Sequence, residues 1–170
     1  NRCNLDGTTT ETPVVISDVN QFGENYAIEN IAIDTEGAGK ICWVQTVYDL
    51  AAPFYLPGQF VKRSNLDGTS VQTLANNAKA RSLAIDTVGR KLYFTSELLN
   101  KVNVIDLTAV TNALFLNTTA PFGAGFDTAS GRLYWSCAIL PERSSRIATE
   151  MRVMLSPGHV SASMFCITRS

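Results

Sequence analysis

A chain of 170 residues, 45% apolar and 17% charged, holds enough apolar material for a sizeable core, and its charge fraction is below the roughly 25% of ordinary soluble domains. A formal net charge of −1, with no basic cluster larger than Lys62-Arg63 or Arg90-Lys91, argues against a nucleic-acid partner. No apolar run approaches the ~20 residues of a membrane-spanning helix and no charged-then-apolar leader opens the chain, so membrane insertion is not expected and the sequence reads as a processed chain or a fragment.

Val, Ile, Thr, Tyr and Phe are frequent, and Gly, Asn, Asp and Pro punctuate short alternating runs about every ten residues, which predicts an all-β chain. The chain opens with Asn4-Leu-Asp-Gly-Thr8, a segment that returns word for word as Asn65-Leu-Asp-Gly-Thr69. Its Asp-Gly pair marks a tight turn between strands, because Gly accepts the positive φ such a turn requires. The Thr8 to Thr12 cluster ahead of Pro13 has the composition of an O-glycosylated stretch. Val14 to Ile16 reads as a short strand and Asp18 to Glu24 as a polar loop.

Two short strands joined by a polar turn then appear three times. Ile31-Ala-Ile-Asp34 leads to Ile41-Cys-Trp-Val44, Leu83-Ala-Ile-Asp86 to Leu92-Tyr-Phe-Thr95, and Ala124-Gly-Phe-Asp127 to Leu133-Tyr-Trp-Ser136. The aspartates are spaced by 52 and then 41 residues, the period of one four-stranded propeller blade. Between the first two copies, Gln45 to Phe60 reads as an insertion unusually rich in aromatics, with Tyr48, Phe54, Tyr55 and Phe60. It either covers its own blade or forms a contact surface for another chain. Val61 to Ser64 and Val71 to Leu74 flank the second Asp-Gly turn. Val102 to Leu107 takes the place of Lys62 to Asp67, with Asp106 matching Asp67, and Leu114 to Leu116 supplies the next strand. Asn117-Thr-Thr119 is an N-glycosylation sequon at a strand end.

After Trp135 the pattern degrades. Short helical turns are plausible over Ser145 to Leu155, His159 follows a Pro-Gly turn, and Val160 to Thr168 reads as a strand. The chain thus forms a single propeller-like domain over 1–170, with an irregular tail from 138.

The order Asn-Leu-Asp-Gly-Thr, then Leu-Ala-Ile-Asp, then Gly-x-Lys-Leu-Tyr-Phe-Thr resembles the YWTD repeat, also called the LDL-receptor class B repeat, over roughly Arg2 to Cys137. In that family six repeats close a β-propeller that usually serves extracellular binding and is not enzymatic. The resemblance makes Asp34, Asp86 and Asp127 the aspartates of the Leu-Ala-x-Asp strand, and Trp43, Phe94 and Trp135 the aromatics of Tyr-Trp-Thr-Asp, all framework positions. Gln45, Ser96 and Cys137 stand where the family has its final Asp. About three repeats are present, half the usual number, so the bare sheet edges call for further sequence, a second copy or packing into a polymer.

Four cysteines allow three pairings; Cys3–Cys42 and Cys137–Cys166 would each tie local chain, and free buried thiols are the alternative. No C-x-x-C spacing or second His supports a zinc site. Nucleophile, metalloprotease and phosphate-loop motifs are missing, so no catalytic residue, metal or cofactor is assigned. The aspartates could line a propeller axis and hold a divalent cation, as in metal-dependent propeller hydrolases, but one polar side chain per blade also serves strand-end amides. The reading that follows is a non-enzymatic module at the cell surface or outside the cell, with protein partners or self-association. A piece of a receptor ectodomain and a metal-dependent hydrolase are the alternatives.

Overall fold

The computed structural model describes residues 8–10, 12, 24–49, 58–76, 78–138, 149–155 and 164–167, with side chains for 8–10, 12, 27–47, 58–76 and 78–137. Every regular element among them is a strand: β1 (Glu24–Asp34), β2 (Lys40–Asp49), β3 (Gly58–Asn65), β4 (Gln72–Asn76), β5 (Ser82–Asp86), β6 (Lys91–Ser96), β7 (Lys101–Asp106), β8 (Thr111–Asn117), β9 (Pro121–Asp127), β10 (Arg132–Ala138), β11 (Thr149–Leu155) and β12 (Met164–Ile167). They form three four-stranded antiparallel sheets in chain order, β1 to β4, β5 to β8 and β9 to β12. These are blades 1, 2 and 3 of a partial β-propeller. The first strands of successive blades touch, β1 against β5 and β5 against β9, and the last strands β4 and β8 also meet.

Alternation explains the stacking. Side chains of a strand point to opposite faces in turn, and directly paired residues of an antiparallel ladder share a face. In blade 1, Ala32 pairs with Cys42 and Cys42 with Arg63, and this face looks toward blade 2. Its Cys42, Val44 and Val61 pack on Leu83, Leu92, Phe94 and Ile105 of blade 2 in one core cluster. A second cluster joins Ala84, Tyr93 and Val102 of blade 2 to Leu133, Trp135 and Cys137 of blade 3. The core therefore lies between the blades.

Several sequence-based expectations change. Gln45 to Asp49 pairs with Glu24 to Ile28, and Gln45 to Val47 with Gly58 to Phe60, so these residues are strand and the inserted loop is shorter at both ends than expected. Asp106 ends β7 opposite Lys91, as Asn65 ends β3 opposite Lys40, so Asp106 matches Asn65 and not Asp67. Thr149–Leu155 is not helical: pairing along β10 makes it β11. With β12 it completes the third sheet, so the segment from 138 is not wholly irregular. Val14 to Ile16 and His159 lie outside the described residues.

Candidate interaction surface

The three repeat aspartates occupy one place, the last residue of β1, β5 and β9, opposite the first residue of the next strand: Asp34 opposite Lys40, Asp86 opposite Lys91, Asp127 opposite Arg132. Each turns a carboxylate back onto the hairpin that follows. Asp34 accepts from the Glu36 amide at 3.2 Å, Asp86 from that of Gly89 at 2.8 Å, and Asp127 from that of Ala129 at 3.0 Å and from the Ser130 hydroxyl. Such side-chain-to-turn bonds satisfy amides that the ladder leaves unpaired. Among the described residues, no three His, Cys, Asp or Glu side chains converge as a metal site.

Asp34 alone carries a further bond, from Arg90 Nη1 of blade 2 at 2.6 Å. Burial opposes its ionisation but is outweighed by the Arg90 hydrogen bond, the Glu36 amide and the nearby guanidinium charges, so its pKa lies below the usual value. The same bond raises the pKa of Arg90. Arg90 sits where the hairpins of blades 1 and 3 have Gly39 and Gly131, and all three backbones are left-handed, with φ of 55°, 73° and 64°. Glycine adopts this conformation freely. Arg90 accepts the strain at the one place where its side chain bridges two blades.

Four residues before Asp34 and before Asp86 lies a second recurrent tie. The Leu83 amide donates to Asn30 Oδ1 at 3.1 Å, and the Ala124 amide donates to Ser82 Oγ at 3.1 Å. One blade's polar side chain thus receives the first strand of the next. Gly123 holds this position in blade 3 and has no side chain to offer. Sequence reasoning missed both ties, because Asn30 and Ser82 differ in type; a polar residue four before the first two aspartates was the available signal.

The aromatics Trp43, Phe94 and Trp135 are all buried. Trp135 Nε1 donates across the blade boundary to Thr118 Oγ1 at 3.3 Å, whereas Trp43 Nε1 is buried with no hydrogen-bond partner among the described residues. Cys42 and Cys137 are free buried thiols, which removes the expected ties through them. Burial, followed by the charge of Asp34, pushes the Cys42 thiol up to about 12, so it stays protonated at neutral pH. Cys137 pairs with Glu150 and Glu150 with Cys166, so Cys137 and Cys166 lie two strands apart in one sheet. That is roughly 9.6 Å, beyond the roughly 7 Å Cα separation a disulfide spans. Cys3 lies outside the described residues. Asn117 ends β8 and is exposed.

Of the aromatic stretch, Phe60 on β3 is half-buried with Lys62 Nζ 5.5 Å from its ring centroid. Tyr48 is placed by its backbone on β2, opposite Asn25, and Phe54 and Tyr55 lie outside the described residues. The exposed apolar surface is instead on β1, where Ile28, Ile31 and Ile33 are 48%, 58% and 44% exposed. They share the face of blade 1 turned away from blade 2, because their partners Gln45, Trp43 and Ile41 do. A smaller patch holds exposed Phe122, against which Arg81 stacks 5.1 Å from the ring centroid while also pairing with Glu97.

No protein-family model matches the chain. Solved structures share its fold. A nidogen/laminin complex superposes with a TM-score of 0.59 at 18% identity, over 81% of this chain and 47% of that one. An acylaminoacyl peptidase from Pyrococcus horikoshii gives 0.63 at 16%, over 86% and 25%. The β-propeller domain of the trilobed protease from Pyrococcus furiosus gives 0.54 at 15%, over 84% and 44%. The chain spans less than half the length of each. It is an all-β set of propeller blades, a fold used by binding proteins and enzymes alike.

Proposed function

We propose that the chain is a non-enzymatic interaction module of YWTD type, working outside the cell or at its surface as a building block of an assembly. The observation that carries this reading is an apolar face turned outward beside repeat carboxylates that are committed to their own turns. The repeat carboxylates serve turn amides and the Asp34–Arg90 bridge, while Ile28, Ile31 and Ile33 remain in water. Exposed contiguous apolar surface marks protein contact. Asn117, exposed at a strand end, is the glycan site of this reading, and no cofactor takes part.

The stack of Arg81 on exposed Phe122 favours a second use, as a ligand-binding piece of a receptor ectodomain, since exposed aromatic and Arg side chains concentrate binding energy. Secretion from eukaryotic cells behind a supplied leader tests the first reading. The expected product carries a glycan on Asn117, seen as a mass loss with an N-glycosidase and abolished by Asn117→Gln, and shows no turnover of peptide, ester or lactone substrates with or without added calcium. An unmodified Asn117, or turnover that tracks the folded protein, overturns it.

A further inference from the structure

The outer strands of blades 1 and 2 meet solvent differently. β4 is five residues long, buries Leu74 and Ala75 in the cluster shared with blade 2, and carries a charge at its edge, because Arg63 Nε of β3 donates to Gln72 at 2.9 Å. β8 is seven residues long, ends its sheet and pairs with β7. It exposes Thr111, Asn112, Ala113 and Leu114 in succession, Leu114 by 52%. No charged residue stands between Asp106 and Asp127. An edge strand turns every second amide and carbonyl away from its partner, and native edges are kept from pairing with another chain by charges, bulges or cover. β8 has a bulge, where the register shifts opposite Val102 and Asn103, but Thr111 to Leu114 stay in regular pairing with Asp106 to Asn103.

The cover that the sequence can add lies at the end of this strand. Asn117 closes β8 and is exposed. The chain behind it is fixed: the Thr118 amide donates to the Asn100 carbonyl at 2.9 Å, the Ala120 amide to Asn100 Oδ1 at 2.8 Å, and Thr118 Oγ1 receives Trp135 Nε1. Three residues of strand, roughly 10 Å, separate Asn117 from Leu114. A bulky glycan on Asn117 is thus anchored beside the bare edge.

We propose that the Asn117 glycan guards the β8 edge, and that without it β8 pairs antiparallel with β8 of a second copy of this chain. Two identical strands meet about a two-fold axis, so the two blade-2 sheets become one and the assembly closes at two copies. The occupant is a second copy because an uncharged strand meets its own image without like-charge repulsion, and antiparallel pairing satisfies the same row of backbone groups on both. Backbone bonds and apolar contacts carry the pairing, which makes it insensitive to salt.

The proposal rests on Asn117 being the glycan site of the module argued above, and the two are read separately: intact mass reports the glycan, native mass the pairing. Thr119→Ala alters an exposed residue and removes the sequon with Asn117 in place. Over a concentration series of the whole 18.5 kDa chain, Thr119→Ala should reach the mass of a dimer at low and high salt alike, and the glycosylated parent should associate at least tenfold more weakly. Adding Leu114→Lys or Leu114→Glu to Thr119→Ala sets like charges on both strands and should weaken pairing about tenfold or more. An equimolar mixture of these two double variants should pair again at low salt. Ala113→Lys and Ala113→Glu replace them if the circular dichroism of the Leu114 variants departs from the parent. A secreted parent without a glycan overturns both readings. A glycosylated parent beside a monomeric Thr119→Ala, a glycosylated parent that pairs as strongly as Thr119→Ala, charged variants that associate unchanged, or a mixture that does not recover overturns this one alone.

Discussion

The two blade boundaries are held by different chemistry. Between blades 1 and 2 the contact is largely aliphatic, with Cys42, Val44, Val61, Leu83 and Leu92 around Phe94, locked at one end by the Asp34–Arg90 ion pair and by Arg63 donating to the Leu107 carbonyl at 2.9 Å. Between blades 2 and 3 it is aromatic and hydroxylic: Tyr93 lies between Phe115 and Phe126, Thr95 donates to the Phe122 carbonyl at 2.7 Å, and Thr118 accepts from Trp135. Only the amide bonds to Asn30 and Ser82 are common to both. One blade geometry thus tolerates either solution, provided the first strands stay tied.

The largest test of the comparison removes the central ring of each boundary. Phe94 and Trp135 are 1% and 3% exposed, and truncating buried aromatics to alanine typically costs about 3–5 kcal/mol. Phe94→Ala and Trp135→Ala should each lower stability by that amount in urea unfolding, and both should keep a single transition, because blade 2 contributes to both clusters and couples them. Two separated transitions in either variant would break the picture of one cooperative stack.

The ion pair provides the next effect. Asp34 is 2% exposed by side chain and Arg90 32%, so removing Arg90 leaves a buried carboxylate without its main partner. Breaking a fully buried pair costs about 3–5 kcal/mol; with Arg90 partly in water, Arg90→Ala should cost about 2 kcal/mol. Asp34→Asn with Arg90→Gly should recover most of that loss, since glycine relieves the left-handed backbone and the amide needs no cation. The pH dependence has a definite sign. The folded Asp34 has a pKa below the usual 3.8, so its contribution is fully present above that value and is lost as the pH falls below it through the folded pKa. Asp34→Asn should flatten the acid limb of stability against pH, measured by denaturant midpoints, while Ser82→Ala at the other boundary should leave its slope unchanged.

The legible parts of this architecture were those written in repeated residue types. The Ile-Ala-Ile-Asp and Leu-Ala-Ile-Asp strands and the aspartate-led turns recur often enough to fix the first two strands of each blade and their register. The third sheet was obscured beyond Trp135, because β11 carries none of the repeated residue types; its short Glu150-Met-Arg-Val153 alternation fits a strand, and pairing along β10 makes it one. Asp106 was matched two residues away from its true counterpart because a shared aspartate is a weaker guide than strand pairing. Arg90 read only as half of a basic pair: its role depends on a strained backbone and a partner 56 residues away, and neither leaves a local pattern. The exposed face of β1 was invisible for the opposite reason. Ile31 and Ile33 look like core residues in sequence, and only the absence of a described blade against them makes them surface.

The smallest expected effect compares the two tryptophans, which have the same burial and opposite hydrogen bonding. Replacing Trp135 with Phe removes a donor that Thr118 accepts and leaves that hydroxyl a partner short, at the usual net cost of a hydrogen bond of about 0.5–1.5 kcal/mol, plus the lost ring volume. Replacing Trp43 with Phe also loses ring volume but removes a buried N–H that has no acceptor, and relieving such a group is worth about 1–3 kcal/mol. Blade 2 already carries a phenyl ring at this place, Phe94, so the smaller ring suits the blade geometry. Trp43→Phe should therefore be near neutral, and Trp135→Phe should be less stable than it by about 1–2 kcal/mol in denaturant midpoints converted at equal slope. Thr118→Val offers the converse, since it gives Trp135 the unpartnered indole that Trp43 has and leaves Asn117 and Thr119 of the sequon in place. It should cost about as much as Trp135→Phe. If Trp43→Phe instead proves the more damaging of the two tryptophan changes, the indole N–H of blade 1 is satisfied in solution, and the contrast between the two positions disappears.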